Sequence, residues 1–148
     1  MAGIKGKDTK PELLIRKELY RRGYRYRLHV KDIKARPDIV LRRYNSLIFV
    51  NGCFWHGHDN CKLFRYPKSR TEFWESKISG NIERDQKKWK ELAEYGWRIL
   101  VVWECSIKNR KQHISTVVDL IEEWLLSNKS GICQLRLDPE TNKELFFS

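Results

Sequence analysis

The chain has 148 residues, of which 41% are hydrophobic, and its 30 Lys and Arg against 19 Asp and Glu give a formal net charge of +11. This length suffices for one domain with a hydrophobic core, and no apolar run is long enough to span a membrane or to serve as a signal-peptide core. We therefore expect a soluble cytoplasmic protein whose four cysteines are reduced thiols or metal ligands. The positive charge favours nucleic acid as a partner, and a basic surface that only aids solubility is the alternative.

The first predicted element is a helix from Thr9 to about Arg22. Thr9 and Glu12 have the spacing of a capping box, and Gly23 ends the segment. Alternation of apolar and basic residues then predicts a strand over Tyr24–Val30.

Short apolar runs predict two further strands, Ala35–Leu41 and Ser46–Val50, joined by the polar turn "RRYN". A helix is predicted over Asn81–Tyr95, followed by a buried central strand over Trp97–Trp103. His113–Leu126 has one apolar face and is predicted to be a third helix. The segments "GICQLRL" and "KELFF" are predicted to form a late hairpin. Strands interleaved with helices, without a linker or repeat, predict one α/β domain over residues 1–148.

Asp38 is the first candidate catalytic residue. It lies at the start of a predicted strand, and pairing with the strand that ends at Val50 would bring its carboxylate beside the Val50 carbonyl. Oxygen ligands at such an edge can hold Mg²⁺ against a phosphate and its attacking water. The alternative is that Asp38 only ends a turn after Pro37. Glu12 either reaches the same metal through water or only completes the capping box, and the sequence leaves both open.

Cysteine and histidine side chains form the second candidate site. Four residues separate Cys53 from His58, two separate His58 from Cys61, and Cys105 follows the predicted central strand. Thiolates and imidazoles are the usual tetrahedral ligands of Zn²⁺, although buried cysteines also pack as small hydrophobic residues. This ligand set leaves His56 unused, and a neutral imidazole beside a bound metal is a suitable general base for activating water.

Aromatic residues form the third candidate site. Phe54 and Trp55 lie in the loop that carries the cysteines, and Phe73 and Trp74 follow in the segment "TEFWESK". Core packing is the default role of such rings. In a basic protein they can also insert between base pairs, at a cost of roughly a few kcal/mol that is smallest where pairing is already faulty.

Several motifs together resemble one known family. The segments "GKDTKPE", "RPDIVL", "LIFVNGCFWHGHDNC", "RTEFW", "NIERD" and "GWRILVVWEC", in this order, are similar to the very short patch repair (Vsr) DNA mismatch endonucleases. The resemblance extends from about Lys5 to Cys105, and beyond Ser106 it is only general. It implies a restriction-endonuclease-like fold, with a central mixed sheet flanked by helices and a structural zinc. It also implies a monomer that nicks duplex DNA 5′ to the thymine of a T:G mismatch, the product of 5-methylcytosine deamination.

The resemblance also implies roles for individual residues. Asp38 and the Val50 carbonyl would hold a catalytic Mg²⁺, Glu12 would hold metal-bound water, and His56 would assist proton transfer. The implied zinc ligands are Cys53, His58, Cys61 and Cys105, and the implied wedge beside the mismatch is Phe54, Trp55 and Trp74.

Basic residues of the N-terminal third, among them Lys5, Lys7 and Arg16, are expected to contact phosphates, so that binding falls steeply with salt. Such a protein would associate with the nucleoid when bound to DNA.

The sequence departs from the family pattern at three places. Asn51 stands where the family often has histidine, and an amide can hydrogen-bond a phosphate but cannot carry a proton. The spacing from His58 to Cys61 is one residue longer than the family pattern. Few residues precede "GKDT", where better-known members have a longer arm that grips DNA, so we expect weaker or less sequence-selective binding.

Other functions stay open at this stage. One is a nicking enzyme with relaxed or different target specificity. Another is a zinc-stapled module that binds distorted duplex without cutting. Asn51 leaves this alternative open, because its amide cannot carry a proton. The third is a basic, zinc-bearing interaction protein with no role on DNA.

Overall fold

The computed structural model describes residues 8–107, 114–141 and 144–148. Its helices are α1 (Lys10–Arg21), α2 (Thr71–Glu94) and α3 (Ile114–Leu126), and its strands are β1 (Ile39–Leu41), β2 (Ser46–Asn51), β3 (Arg98–Trp103), β4 (Ile132–Leu137) and β5 (Leu145–Phe147). Among these described elements, no helix has the length and apolar character needed to cross a membrane. The predicted α/β class is confirmed.

In the described part of the chain, five strands form one mixed sheet in the order β1-β2-β3-β4-β5. The three inner strands are parallel, whereas β1 and β5 pair antiparallel at the two edges. The central strand β3 is buried on both faces, as predicted. Leu100 and Val102 face a core formed with α1 and α3, and Ile99 and Val101 face a second core formed with α2. Helices therefore cover both faces of the sheet.

Several predicted elements are confirmed with shifts of one or two residues. Helix α1 begins directly after Thr9, whose backbone N–H donates to Glu12 Oε2 at 3.3 Å, as the capping-box spacing predicted. Helix α3 and the antiparallel hairpin of β4 and β5 are also observed. The predicted first residue of the third helix, His113, lies outside the described residues.

The strand predicted over Tyr24–Val30 is wrong except for one bridge, in which Arg27 and Val40 exchange backbone hydrogen bonds. The alternation has a different cause. Tyr24 and Tyr26 pack against the core of α1 and α3, while His29 has a left-handed φ of 54° that ends the extended course. The periodicity therefore reflects side-chain packing of an irregular segment.

Two predicted boundaries are also wrong. The strand predicted from Ala35 begins only at Ile39, because Ala35 and Arg36 have left-handed φ values of 72° and 45°. Helix α2 begins at Thr71 and not at Asn81. Its first half carries few apolar residues, but the complete burial of Ile78 holds these turns against the rest of the protein.

Candidate active site and metal centre

Asp38 lies directly before β1, at the edge where β1 pairs with β2. The backbone N–H of Asp38 donates to the Ile48 carbonyl at 3.1 Å, and the N–H of Val50 donates to Asp38 Oδ2 at 2.7 Å. Because the N–H and C=O of one strand residue point to the same side, the Val50 carbonyl is directed toward the Asp38 side of β2. The predicted pairing of the two strands is thus observed, and it brings the carboxylate beside Val50.

Glu12 supplies a second carboxyl group from the first turn of α1. Its residue is 1% exposed, and its Oε2 accepts the Thr9 N–H. Its Oε1 is buried and has no hydrogen-bond partner among the described residues, and Arg16 Nη1 lies 3.7 Å from it. Burial raises the pKa of Glu12, whereas the Thr9 hydrogen bond and the Arg16 charge act in the opposite direction.

The charge of Glu12 affects the pKa of Asp38, so the two carboxyl groups lie near each other. Asp38 and Glu12 are here called the acidic pair. Burial raises the pKa of Asp38 to about 7, and the charges of Glu12 and Asp8 act in the same direction. The hydrogen bond from Val50 and the charge of His56 lower it. One buried and one partly buried carboxyl group, with a carbonyl beside them and a carboxylate oxygen that makes no hydrogen bond among the described residues, are a donor set that fits a hard divalent cation such as Mg²⁺.

His56 is oriented by a residue that the sequence analysis did not assign. Its Nδ1 lies 2.5 Å from Oδ2 of Asp85, which projects from α2. This contact leaves Nε2 as the nitrogen available for proton exchange. The only sequence signal for Asp85 was its place in the segment "NIERD", which carries no spacing that relates it to the loop.

The four predicted zinc ligands converge in the fold. The ligand atoms of Cys53, His58, Cys61 and Cys105, here called the metal cluster, all lie within 4.8 Å of one another. Nδ1 of His58 lies 3.5 Å from Sγ of Cys53 and 3.8 Å from Sγ of Cys105, so it is the nitrogen that would face a metal ion. The indole of Trp103 stacks on the His58 ring at 3.9 Å with an interplanar angle of 2° and fixes its plane.

Proton affinities within the metal cluster favour a thiolate. Hydrogen bonds from Cys53 and from His58 lower the pKa of Cys105, although burial opposes them. The hydrogen bond to Cys105, together with burial, raises the pKa of Cys53. A thiolate is the metal-binding form of cysteine, and three sulfurs with one imidazole are a donor set that Zn²⁺ prefers. The metal cluster therefore fits a tetrahedral soft or borderline ion.

Three aromatic rings come together beside the metal cluster. The ring centroids of Phe54 and Trp55 are 5.1 Å apart, and Trp74 in the first turn of α2 lies 5.4 Å from Phe54 and 5.8 Å from Trp55. These residues, here called the aromatic cluster, are partly exposed. Phe64 extends the cluster with a ring centroid 6.2 Å from that of Phe54, and no motif in the sequence indicated this contact.

The remaining predicted residues have different positions. Asn51 ends β2 and is buried, and its Nδ2 makes no hydrogen bond within the described residues. Arg16 donates to Asp8 at 2.8 Å and approaches Glu12, so it lies beside the acidic pair. Lys5 and Lys7 lie outside the described residues.

Comparisons with known proteins agree with this arrangement. A family model described as DNA mismatch endonuclease Vsr matches residues 1–62. The type II nicking enzyme V.NmeAIP of Neisseria meningitidis serogroup A is 48% identical over 110 residues, which cover 74% of this chain and 78% of that protein. The type II nicking enzyme V.XorIIP of Xanthomonas oryzae pv. oryzae is 46% identical over 109 residues, covering 74% and 79%. The DNA mismatch endonuclease Vsr of Escherichia coli (strain K12) is 40% identical over 126 residues, covering 84% and 80%.

A mixed sheet with helices on both faces and an acidic pair at its edge defines a restriction-endonuclease-like α/β protein. Within this class, the chain belongs to the Vsr family of DNA mismatch endonucleases.

We expect the purified protein to hold one tightly bound Zn²⁺ and Cys61→Ser to lose it, because three donors do not complete the tetrahedron. Loss of the ion should also lower the thermal unfolding midpoint, since a structural metal contributes directly to folding. The matched control is Cys133→Ser, which changes a cysteine of β4 outside the metal cluster. Metal analysis by mass spectrometry and thermal unfolding provide the measurements. Equal zinc content in the two variants would contradict the assignment.

Without Mg²⁺, Asp38→Asn should stabilise the protein at pH 8. The folded-state pKa of Asp38 is raised to about 7, so its contribution to stability is complete below the ordinary carboxyl pKa and is lost as pH rises through 7. We expect the variant to exceed wild type by on the order of 2 kcal/mol at pH 8, and the difference to vanish toward pH ~4. Chemical unfolding at several pH values measures this, with the exposed Asp32→Asn as control. A difference that does not change with pH would contradict the expectation.

Proposed function

We propose that this protein is a Mg²⁺-dependent endonuclease that nicks one strand of duplex DNA 5′ to the thymine of a T:G mismatch, in the repair of deaminated 5-methylcytosine. The endonuclease class follows from membership of the Vsr family. The observation that supports the finer assignment is the proximity of the acidic pair to His56 on a loop that also carries two aromatic rings.

We further propose that residues 1–148 act as one domain, which the single continuous sheet of the described residues supports.

The acidic pair supplies the proposed Mg²⁺ site. Asp38 and the Val50 carbonyl would bind the ion directly, and Glu12 would act through water. When bound, Mg²⁺ stabilises negative charge on the scissile phosphate and on the leaving 3′ oxygen. Glu12 Oε1, which makes no hydrogen bond among the described residues, and the raised pKa of Asp38 support this role, because a divalent cation would offset the charge of both carboxylates.

His56 and Asp85 would form the proton-transfer pair of the reaction. Asp85 accepts the hydrogen bond of Nδ1, so that Nε2 can take a proton from the attacking water. The water oxygen would form the new bond to phosphorus as the bond to the 3′ oxygen breaks. The departing 3′ oxygen would take a proton from solvent, which leaves a 3′ hydroxyl and a 5′ phosphate. Asp85 would then stabilise the imidazolium that forms. The His56 side chain is 33% exposed, which is consistent with access to a bound DNA strand.

The aromatic cluster would select the substrate. Its edge-to-face contacts hold the rings as a rigid unit, and partial exposure leaves them able to enter the base stack. Opening a step costs least where pairing is faulty, so rings that wedge the stack favour a mismatch over paired DNA. Zn²⁺ in the metal cluster would hold the loop that carries two of these rings.

A nicking enzyme with a different target is the second candidate. The relatives from Neisseria meningitidis and Xanthomonas oryzae are named type II nicking enzymes, and those names state no mismatch. Both candidates use the same phosphodiester chemistry and differ only in the DNA that the aromatic cluster and the surrounding basic residues accept.

The deciding experiment is a strand-specific nicking assay on an end-labelled duplex with one T:G mismatch. We expect a Mg²⁺-dependent nick 5′ to the thymine. The rate should fall by about 10²-fold or more in His56→Gln, since a positioned general base contributes about that much. Asp38→Asn should abolish the nick, and Asp32→Asn, an exposed carboxyl change away from the acidic pair, should retain it.

A duplex with T:A in place of T:G separates the alternatives. Equal cutting of the paired duplex would refute mismatch specificity and favour the second candidate. Tight mismatch binding without cutting, with either Mg²⁺ or Mn²⁺, would refute the catalytic assignment and indicate a DNA-binding module.

A further inference from the structure

Strand β4 contributes a buried arginine to the loop of the metal cluster. Arg136 is 7% exposed, and its Nη2 donates to the Asn60 carbonyl at 2.7 Å. Its Nη1 lies 3.4 Å from Oδ1 of Asp59. Asp59 and Asn60 are the two residues between the ligands His58 and Cys61. The guanidinium therefore contacts the segment that sets the separation of these ligands.

The turn between the two ligands has an unusual backbone. Asn60 has a left-handed φ of 49°, a conformation that Asn adopts more readily than most residues. A backbone carbonyl in such a turn needs a donor, and a charged donor makes a stronger hydrogen bond than a neutral one. The Asp59 contact adds little, because that side chain is 84% exposed.

Two neighbours of Arg136 on β4 also support the metal cluster. Gln134 Oε1 accepts a hydrogen bond of 2.7 Å from Trp103 Nε1, and the indole of Trp103 stacks on His58. The backbone of Leu137 also forms a hydrogen bond with the Cys105 thiol. Three residues of β4 therefore contact the metal cluster or a residue packed against it. Among them, Arg136 is the one whose side chain contacts the loop between His58 and Cys61.

We propose that Arg136 is a positioning residue of the metal centre, whose guanidinium holds the turn between His58 and Cys61 and thereby slows release of the bound metal. The proposal rests on the metal site of the proposed function. Burying a guanidinium is costly unless it is paired, and its partners in the structure are the two residues of this turn and the Leu137 carbonyl. The arginine and the turn that it contacts accordingly act as one unit.

The test is the rate at which zinc leaves the purified holoprotein for a chromogenic chelator in excess. We expect Arg136→Gln to release zinc about tenfold faster or more than wild type, the usual scale for a residue that orients metal ligands. The matched control is Leu135→Ala, the adjacent residue of β4, which is fully buried in the opposite core. That change should lower the unfolding midpoint at least as much, yet leave the release rate within about twofold of wild type.

Release from Arg136→Gln at the wild-type rate would overturn the proposal, and so would equal acceleration in both variants. If Arg136→Gln does not fold, Arg136→Lys decides, since an ammonium keeps the charge but cannot reproduce the forked contact. We then expect release several-fold faster than wild type, and a wild-type rate would overturn the proposal. A wild-type protein that binds no zinc at all would refute the metal site itself, a result distinct from bound zinc with unchanged release.

Discussion

The arrangement of the site depends on one cross-link, the metal cluster that joins the loop after β2 to the end of β3. Cys53 and His58 lie in that loop, whereas Cys105 follows β3, so an ion bound by all of them fixes the loop against the sheet. His56 is two residues from His58, and both rings pack against Trp103. An ion that holds His58 therefore also limits where His56 can lie. The aromatic cluster begins one residue after Cys53 and is constrained by the same link.

The acidic pair at the edge of the sheet has an electrostatic cost. Glu12 is buried and Asp38 is partly buried, and desolvation together with the charges of Glu12 and Asp8 raises the pKa of Asp38 more than the Val50 hydrogen bond and the His56 charge lower it. A protein selected only for stability would place apolar residues at this edge. Retaining two carboxyl groups there is the expected price of a cation site. The proton that Asp38 holds near neutrality would compete with the proposed Mg²⁺ for the same oxygens.

Local chemistry explains which parts of the fold were predictable from sequence. The capping box at Thr9, the apolar run of β3 and the pairing of β1 with β2 depend on nearby residues and short turns, and each was predicted. The convergence of the four residues of the metal cluster was also predicted, because few residue types bind zinc. The prediction of a strand over Tyr24–Val30 was wrong, because the side chains that pack against the helices alternate along the chain as they would in a strand.

The unpredicted parts of the site are long-range contacts. Asp85 meets His56 across 29 residues, and Arg136 meets Asn60 across 76. Contacts between residues so far apart in the chain follow no fixed spacing, so a sequence motif cannot reveal them. Both residues are proposed to orient a neighbouring group of the site, and such supporting contacts become visible only when the elements are packed.

The most direct test of the central claim is zinc titration into metal-depleted protein bound to a T:G duplex that carries 2-aminopurine beside the mismatch. Mg²⁺ is omitted, so that the fluorescence reports unstacking without cutting. If the metal cluster presents the aromatic cluster to DNA, fluorescence rises with zinc and saturates near one equivalent, and Trp55→Ala binds zinc without the full rise. Full fluorescence in the metal-depleted protein would contradict the account, because the rings would then enter the stack without the cross-link.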